Sequence, residues 1–113
     1  MAVGDQQVTG REFLKVLYRD DYYPDAVLDR GKDVLLRLCA RIEAERPVGL
    51  AALYVLTQAA TGEFNDLQEA FEEAGSDIET VAREAIAEDF WFVAQAYGFA
   101  DADVEELIAT REW

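Results

Sequence analysis

The residues of this sequence best suited to chemistry are carboxylates. Asp66, Glu69 and Glu73 recur at steps of three and four, Glu72 sits beside them, and Glu84 and Glu88 stand four apart further on. Steps of three and four put side chains on one helix face. Two such faces, if they met, would offer oxygen ligands for Mg²⁺ or Mn²⁺, and a metal so held can activate water against a phosphate compound. A second group is polar but not uniformly acidic: Tyr54, Thr57, Thr61 and Asn65 follow one helical line. With Glu79, Arg83 and Asp89 they could line a cleft for a small ligand. The expectation for both groups is nonetheless structural, a solvated acidic face and an interhelical hydrogen-bond network, because helix surfaces are commonly charged and buried polar groups satisfy one another.

The residue types that are missing narrow the chemistry further. There is no histidine, which removes Ser-His-Asp and Cys-His catalysis and the usual zinc and Glu-x-x-His di-iron sites. Cys39 is the only cysteine and Ser76 the only serine. Cys39 adjoins an apolar stripe, as an inert buried thiol does. The net charge of −14 is uneven. Residues 1–46 carry eight cations against nine acids, and residues 47–113 carry Arg83 and Arg111 against fifteen acids, a net of −13. Nucleic acid is therefore not the expected partner, since phosphate contacts need clustered Lys and Arg. A basic protein partner fits the acidic half.

These side chains need helices to place them, and the periodicity supplies helices throughout. The clearest runs from Ser76 to Gly98: Ser76 and Glu79 have capping-box spacing, and Gly98 suits the left-handed residue that ends a helix. Ile78, Val81, Ala82, Ala85, Ile86, Phe92, Val93 and Ala96 share one wide face. Asp89 falls within that apolar arc and needs a partner or a raised pKa. Trp91 falls on the opposite side, among Thr80, Glu84, Glu88 and Gln95, where it is either covered by the C-terminal tail or an anchor for a partner.

A first helix is expected from Thr9 to about Asp20, with Thr9 and Glu12 as a second capping box. Pro24 opens a helix to about Glu45, in which Gly31 implies a tight helix contact. Residues 49–74 keep phase as one helix, although Thr61-Gly62 allows a kink or restart. Ala74-Gly75-Ser76 then turns it into an antiparallel hairpin with the next helix. A short last helix, capped by Asp101 and running through Thr110, leaves Trp113 at the terminus. The expected fold is all-α: one domain over residues 1–113, a compact bundle of four main helices plus a short C-terminal fifth, with residues 1–8 a flexible lead. Neither a signal peptide nor a membrane span is expected, and the cytoplasm is the default location.

Several phrases resemble a known family: YYP at 22–24, DRGKDVLL at 29–36, LYVLTQAAT at 53–61, FNDLQEAFEE at 64–73, IETVAREAIAEDF at 78–90, YGF at 97–99 and DVEELIATREW at 103–113. They are similar to a family of small, mostly bacterial proteins that forms a domain of unknown function. The resemblance covers about residues 20–113. It implies a stand-alone protein and carries no activity, cofactor or catalytic residue.

Two analogies of chemistry frame the alternatives. All-α nucleotide pyrophosphatases of the MazG type place acidic motifs on adjacent helices, as Asp66, Glu69, Glu73, Glu84 and Glu88 would be placed here. Bacteriocin immunity proteins use carboxylates and a Tyr-Tyr pair against a basic nuclease, and Tyr22-Tyr23 within DDYYP is similar. The expected function is a non-enzymatic interaction module that binds a basic partner through Trp91, Trp113, Glu84, Glu88, Tyr22 and Tyr23, with no cofactor. The alternative is a Mg²⁺- or Mn²⁺-dependent hydrolase of a nucleotide-like phosphate compound. A homodimer through the apolar excess at Phe90 to Val93 is a third possibility.

Overall fold

The computed structural model describes residues 4–113. Among these residues it has no strand and six helices: α1 Gln6–Thr9, α2 Lys15–Tyr18, α3 Asp25–Glu45, α4 Leu50–Glu73, α5 Thr80–Ala96 and α6 Val104–Leu107. The all-α fold is as expected, but three long helices and three single turns stand in place of four main helices and a short fifth. No helix among the described residues is long and apolar enough to cross a membrane.

The frame is a pair of long helices, α3 and α4, which pack side by side. Each buries one stripe at steps of three and four: Leu28, Leu35, Leu38 and Ile42 on α3, and Leu53, Leu56, Ala60, Phe64, Leu67 and Phe71 on α4. Gly31 lets them close, since a Cβ there would stand 3.1 Å from both Phe64 Cε1 and Leu14 Cδ1. α4 runs unbroken through Thr61-Gly62. The Thr61 hydroxyl lies 2.8 Å from the carbonyl of Thr57 in its own helix and 3.3 Å from Leu107 O of the C-terminal segment, and donates between them.

The boundary between α4 and α5 corrects the expected capping box. Gly75 takes φ +85°, its N–H donates to Glu72 O at 3.0 Å, and the Ser76 N–H donates to Phe71 O at 2.8 Å. That is a Schellman termination of α4. The Ser76 amide is spent on the preceding helix, so α5 begins one turn later, behind Glu79. Its far end stops as expected, with Gly98 at φ +87° and Phe99 N–H on Ala94 O at 2.9 Å.

α4 and α5 do not form the expected side-by-side hairpin. α6 packs against both of them, and α5 instead rests on α1, α2, α3 and α6. Leu107, Ile108 and Trp113 of this C-terminal segment are buried, and the Trp113 ring meets Phe64 edge-on at 6.4 Å. Trp113 is 8 % exposed and is a core residue rather than a partner anchor. α6 is also shorter than expected, because Asp103 and not Asp101 caps it, accepting from Glu105 N–H at 2.9 Å.

The N-terminal segment departs most from the expected single helix. Asp5 caps α1 by accepting from the amides of Gln7 and Val8, at 2.9 and 3.1 Å. Residues 4–8 are not a loose lead: Gly4 N–H donates to Glu43 Oε1 at 2.8 Å and Val8 is buried. Met1 to Val3 lie outside the described residues. Between α1 and α2 the chain opens, and Leu14 takes the left-handed φ of +59° that a residue with a Cβ rarely adopts. The cause is on α5.

Candidate functional site

Asp89 lies on the inner face of α5, 3 % exposed, and the opened N-terminal chain wraps around it. Arg11 donates to Asp89 Oδ1 through Nε at 3.2 Å and Nη2 at 2.9 Å. Leu14 N–H donates to Oδ2 at 2.8 Å. A continuous helix over 9–20 would have turned that amide inward to its own i−4 carbonyl. Breaking the helix at Leu14 frees it for the carboxylate, while Phe13 and Leu14 both reach the core. The Arg11 guanidinium also lies over the Phe92 ring, 4.5 Å from its centroid. Burial pushes the Asp89 carboxyl above its ordinary range, and the Leu14 amide and Arg11 offset part of that rise. Asp89 is thus paired. Arg11, which sequence reasoning missed, was signalled only by the need of a buried carboxylate for a cation.

A second node was missed altogether. Glu43 accepts from the Gly4 and Asp5 amides and from the Tyr97 hydroxyl, tying the N-terminus and the end of α5 to α3. The Tyr97 hydroxyl, first, and then the Gly4 amide hold the Glu43 carboxyl below its usual range. Beside it Cys39 is wholly buried, and burial pushes its thiol up to about 12, which leaves it inert.

The expected polar cleft is not formed. Tyr54 and Asn65 fasten the C-terminal segment: the Tyr54 hydroxyl accepts from Asp103 N–H at 3.1 Å, and the Asn65 side chain bonds Thr110 O at 3.0 Å and Glu112 N–H at 2.8 Å. Thr57 turns back onto Tyr54 O. Glu79 and Arg83 make no ion pair among the described residues; Glu79 instead accepts from the Tyr22 hydroxyl at 3.0 Å. Asp89 is spent on Arg11. The carboxylates of the metal alternative are not brought together either. Asp66, Glu69, Glu73, Glu84 and Glu88 are exposed on separate helices, and no three acidic side chains among the described residues converge as ligands. The physical reason is that α4 and α5 meet through buried side chains, with the Phe64 and Phe90 rings 5.8 Å apart, while these carboxylates face solvent.

Of the tyrosine pair expected to meet a partner, Tyr23 is buried, edge-on to Phe71 at 6.4 Å, and Tyr22 is exposed. Of the stretch expected to form a homodimer surface, Phe90 and Val93 are fully buried, Phe92 is half-buried and Trp91 is exposed. What remains is the outer face of α5. Trp91 is 47 % exposed and Val81 56 %, with Glu84 and Glu88 exposed between them. Arg11 and Phe92, one on the other, lie on the inner side of the same helix and brace its middle.

A family model described as a family of unknown function, DUF5713, matches residues 7–113. The chain belongs to the DUF5713 family. The DUF5713 match takes in Arg11 and Leu14 as well as Asp89, and so spans both sides of the central contact. No curated protein and no solved structure matches the chain.

Proposed function

We propose that this DUF5713 chain is a non-enzymatic interaction protein that docks a basic protein partner on the outer face of α5. The observation that supports this most is Trp91, a large aromatic ring left exposed on a helix whose other aromatic residues are buried or half-buried. Tryptophan is enriched among residues that dominate binding energy, and an indole flanked by carboxylates suits an apolar side chain carried within a Lys- and Arg-rich segment. The net charge of −13 over residues 47–113 supplies long-range attraction for such a partner. A cytoplasmic setting belongs to the same proposal.

The test uses tryptophan emission. In a Trp113→Phe variant Trp91 is the sole indole, and titration with basic helical peptides carrying one apolar anchor should blue-shift its emission. Affinity should fall steeply with salt and by at least tenfold with Glu84→Gln, Glu88→Gln. An emission unchanged by every such peptide, with binding to basic proteins indifferent to Trp91→Ala, defeats the proposal.

A further inference from the structure

The charge of the chain reverses locally in a groove between the opened N-terminal segment and α3. Two adjoining cavities of about 670 and 400 Å³ share Glu12, Phe13 and Lys32 as walls. Arg11, Lys32 and Arg37 line the larger, and Lys15, Arg19 and Lys32 the smaller. Five of the ten cations of a chain of net charge −14 therefore meet at one place, against three of its 24 acids, Glu12, Asp29 and Asp33. The larger cavity also has an apolar floor, made by Val8 and Phe13, which are buried, and Leu36, which is half-buried. Both cavities have the size of a small-ligand site, and the larger joins apolar lining to a few charged groups, as such sites do.

Pairing within the chain accounts for part of this set. Asp89 holds Arg11 at 2.9 Å, Glu63 holds Arg37 at 2.7 Å and Glu12 lies 3.5 Å from Lys15. Asp29 accepts from the Tyr18 hydroxyl at 2.6 Å. Lys32 and Arg19 are exposed and make no ion pair among the described residues. We propose that the groove binds a small organic anion, an oxyanion head such as a carboxylate or phosphate on one apolar ring or short chain. The head sits on Lys32, the unpaired cation common to both cavities, and the apolar body lies over Leu36 and Phe13 in the larger one. Charge also limits the size of the ligand. A long polyanion would extend beyond the groove into the field of the acidic half, whereas a small anion feels mainly the cations within a screening length, about 10 Å at 0.1 M salt. The groove exists because Asp89 opens the chain at Leu14, so that residues 8–13 form a wall facing Lys32 to Arg37.

Nitrogen-15 amide spectra of the full chain read the site directly. Phenylacetate and phenyl phosphate carry both head and body, and titration to about 10 mM suits a ligand so small, whose Kd is about 1 mM. At least one of the two should give saturable shifts at Gly10, Glu12, Lys32 and Leu36, and the tighter one identifies the head group. Inorganic phosphate and benzyl alcohol, head and body alone, should each bind about tenfold more weakly. Lys32→Gln should weaken the aromatic anion about tenfold, as loss of a charge-assisted contact does. Arg83→Gln removes the same charge from an exposed site on α5 that lines neither cavity, and should leave the affinity unchanged. Trp91→Ala should leave it unchanged too, which separates this site from the docking face of α5. No saturable shift at these amides with either aromatic anion overturns the proposal. So does equal weakening by Lys32→Gln and Arg83→Gln, or inorganic phosphate binding as tightly as phenyl phosphate.

Discussion

Asp89→Ala tests whether the carboxylate holds the N-terminal segment open. The substitution strips the only acceptor from the buried Leu14 amide, which costs about 1–3 kcal/mol. It also leaves Arg11 without its partner. Breaking a fully buried pair costs about 3–5 kcal/mol, but the Arg11 side chain is 30 % exposed and can rehydrate, so about 1 kcal/mol is the fitting figure. The expected loss is about 3 kcal/mol. A domain of this length is stable by roughly 6–17 kcal/mol, so the variant folds, with Tm lower by about 12 °C. Urea unfolding followed by circular dichroism should show a lower midpoint at an unchanged slope. A loss under about 1 kcal/mol would refute the reasoning, as would a cycle with Arg11→Met showing no coupling.

The pH dependence separates burial from pairing. Burial holds the folded carboxyl above its ordinary 3.8, so the folded chain keeps this proton to higher pH than the unfolded chain. The contribution of that proton is complete below about 3.8 and declines as the pH rises through the folded value. Asparagine does not titrate. The margin of the unmodified chain over Asp89→Asn should therefore shrink as the pH climbs from 3.8 towards neutrality, and a growing margin would mean that pairing outweighs desolvation.

Two further outcomes are expected. Gly31→Ala should destabilise by about 1 kcal/mol despite its helix propensity, because its Cβ meets Leu14 and Phe64 at 3.1 Å and Phe64 is wedged against Phe90 and Trp113; Gly62→Ala, facing open space, should stabilise the fold by up to about 1 kcal/mol in the same thermal assay. Carbon-13 titration should place the Glu43 carboxyl below its ordinary 4.5, and Tyr97→Phe should raise it. Because that folded value is lowered, the stability Glu43 adds is present above 4.5 and is lost as the pH falls through the folded value.

Much of the fold was legible because it is local. The span of α3, the continuity of α4 and the stop at Gly98 each follow from side-chain period or from glycine's tolerance of positive φ, properties of a few neighbouring residues. The family resemblance, carried by whole phrases, was also correct. Asp89 announced itself as a carboxylate on an apolar face that needed a partner. Even the unexplained glycines could be flagged by sequence, although only contacts could say that Gly31 is packed and Gly62 is not.

What the tertiary structure decided was every competition for a hydrogen-bonding group. Thr9 and Glu12 had the spacing of a helix start, yet Asp89, 75 residues beyond Leu14, claimed the Leu14 amide and broke the helix there. Ser76 had the spacing of a cap, yet its amide closed the helix before it. Tyr54, Thr57 and Asn65 had the spacing of a cleft, yet the C-terminal segment occupied Tyr54 and Asn65, and Thr57 turned back onto its own helix. Sequence period determines which side chains share a face. Which partner each polar group finds depends on segments remote in sequence, since a donor serves whichever buried acceptor has no other source.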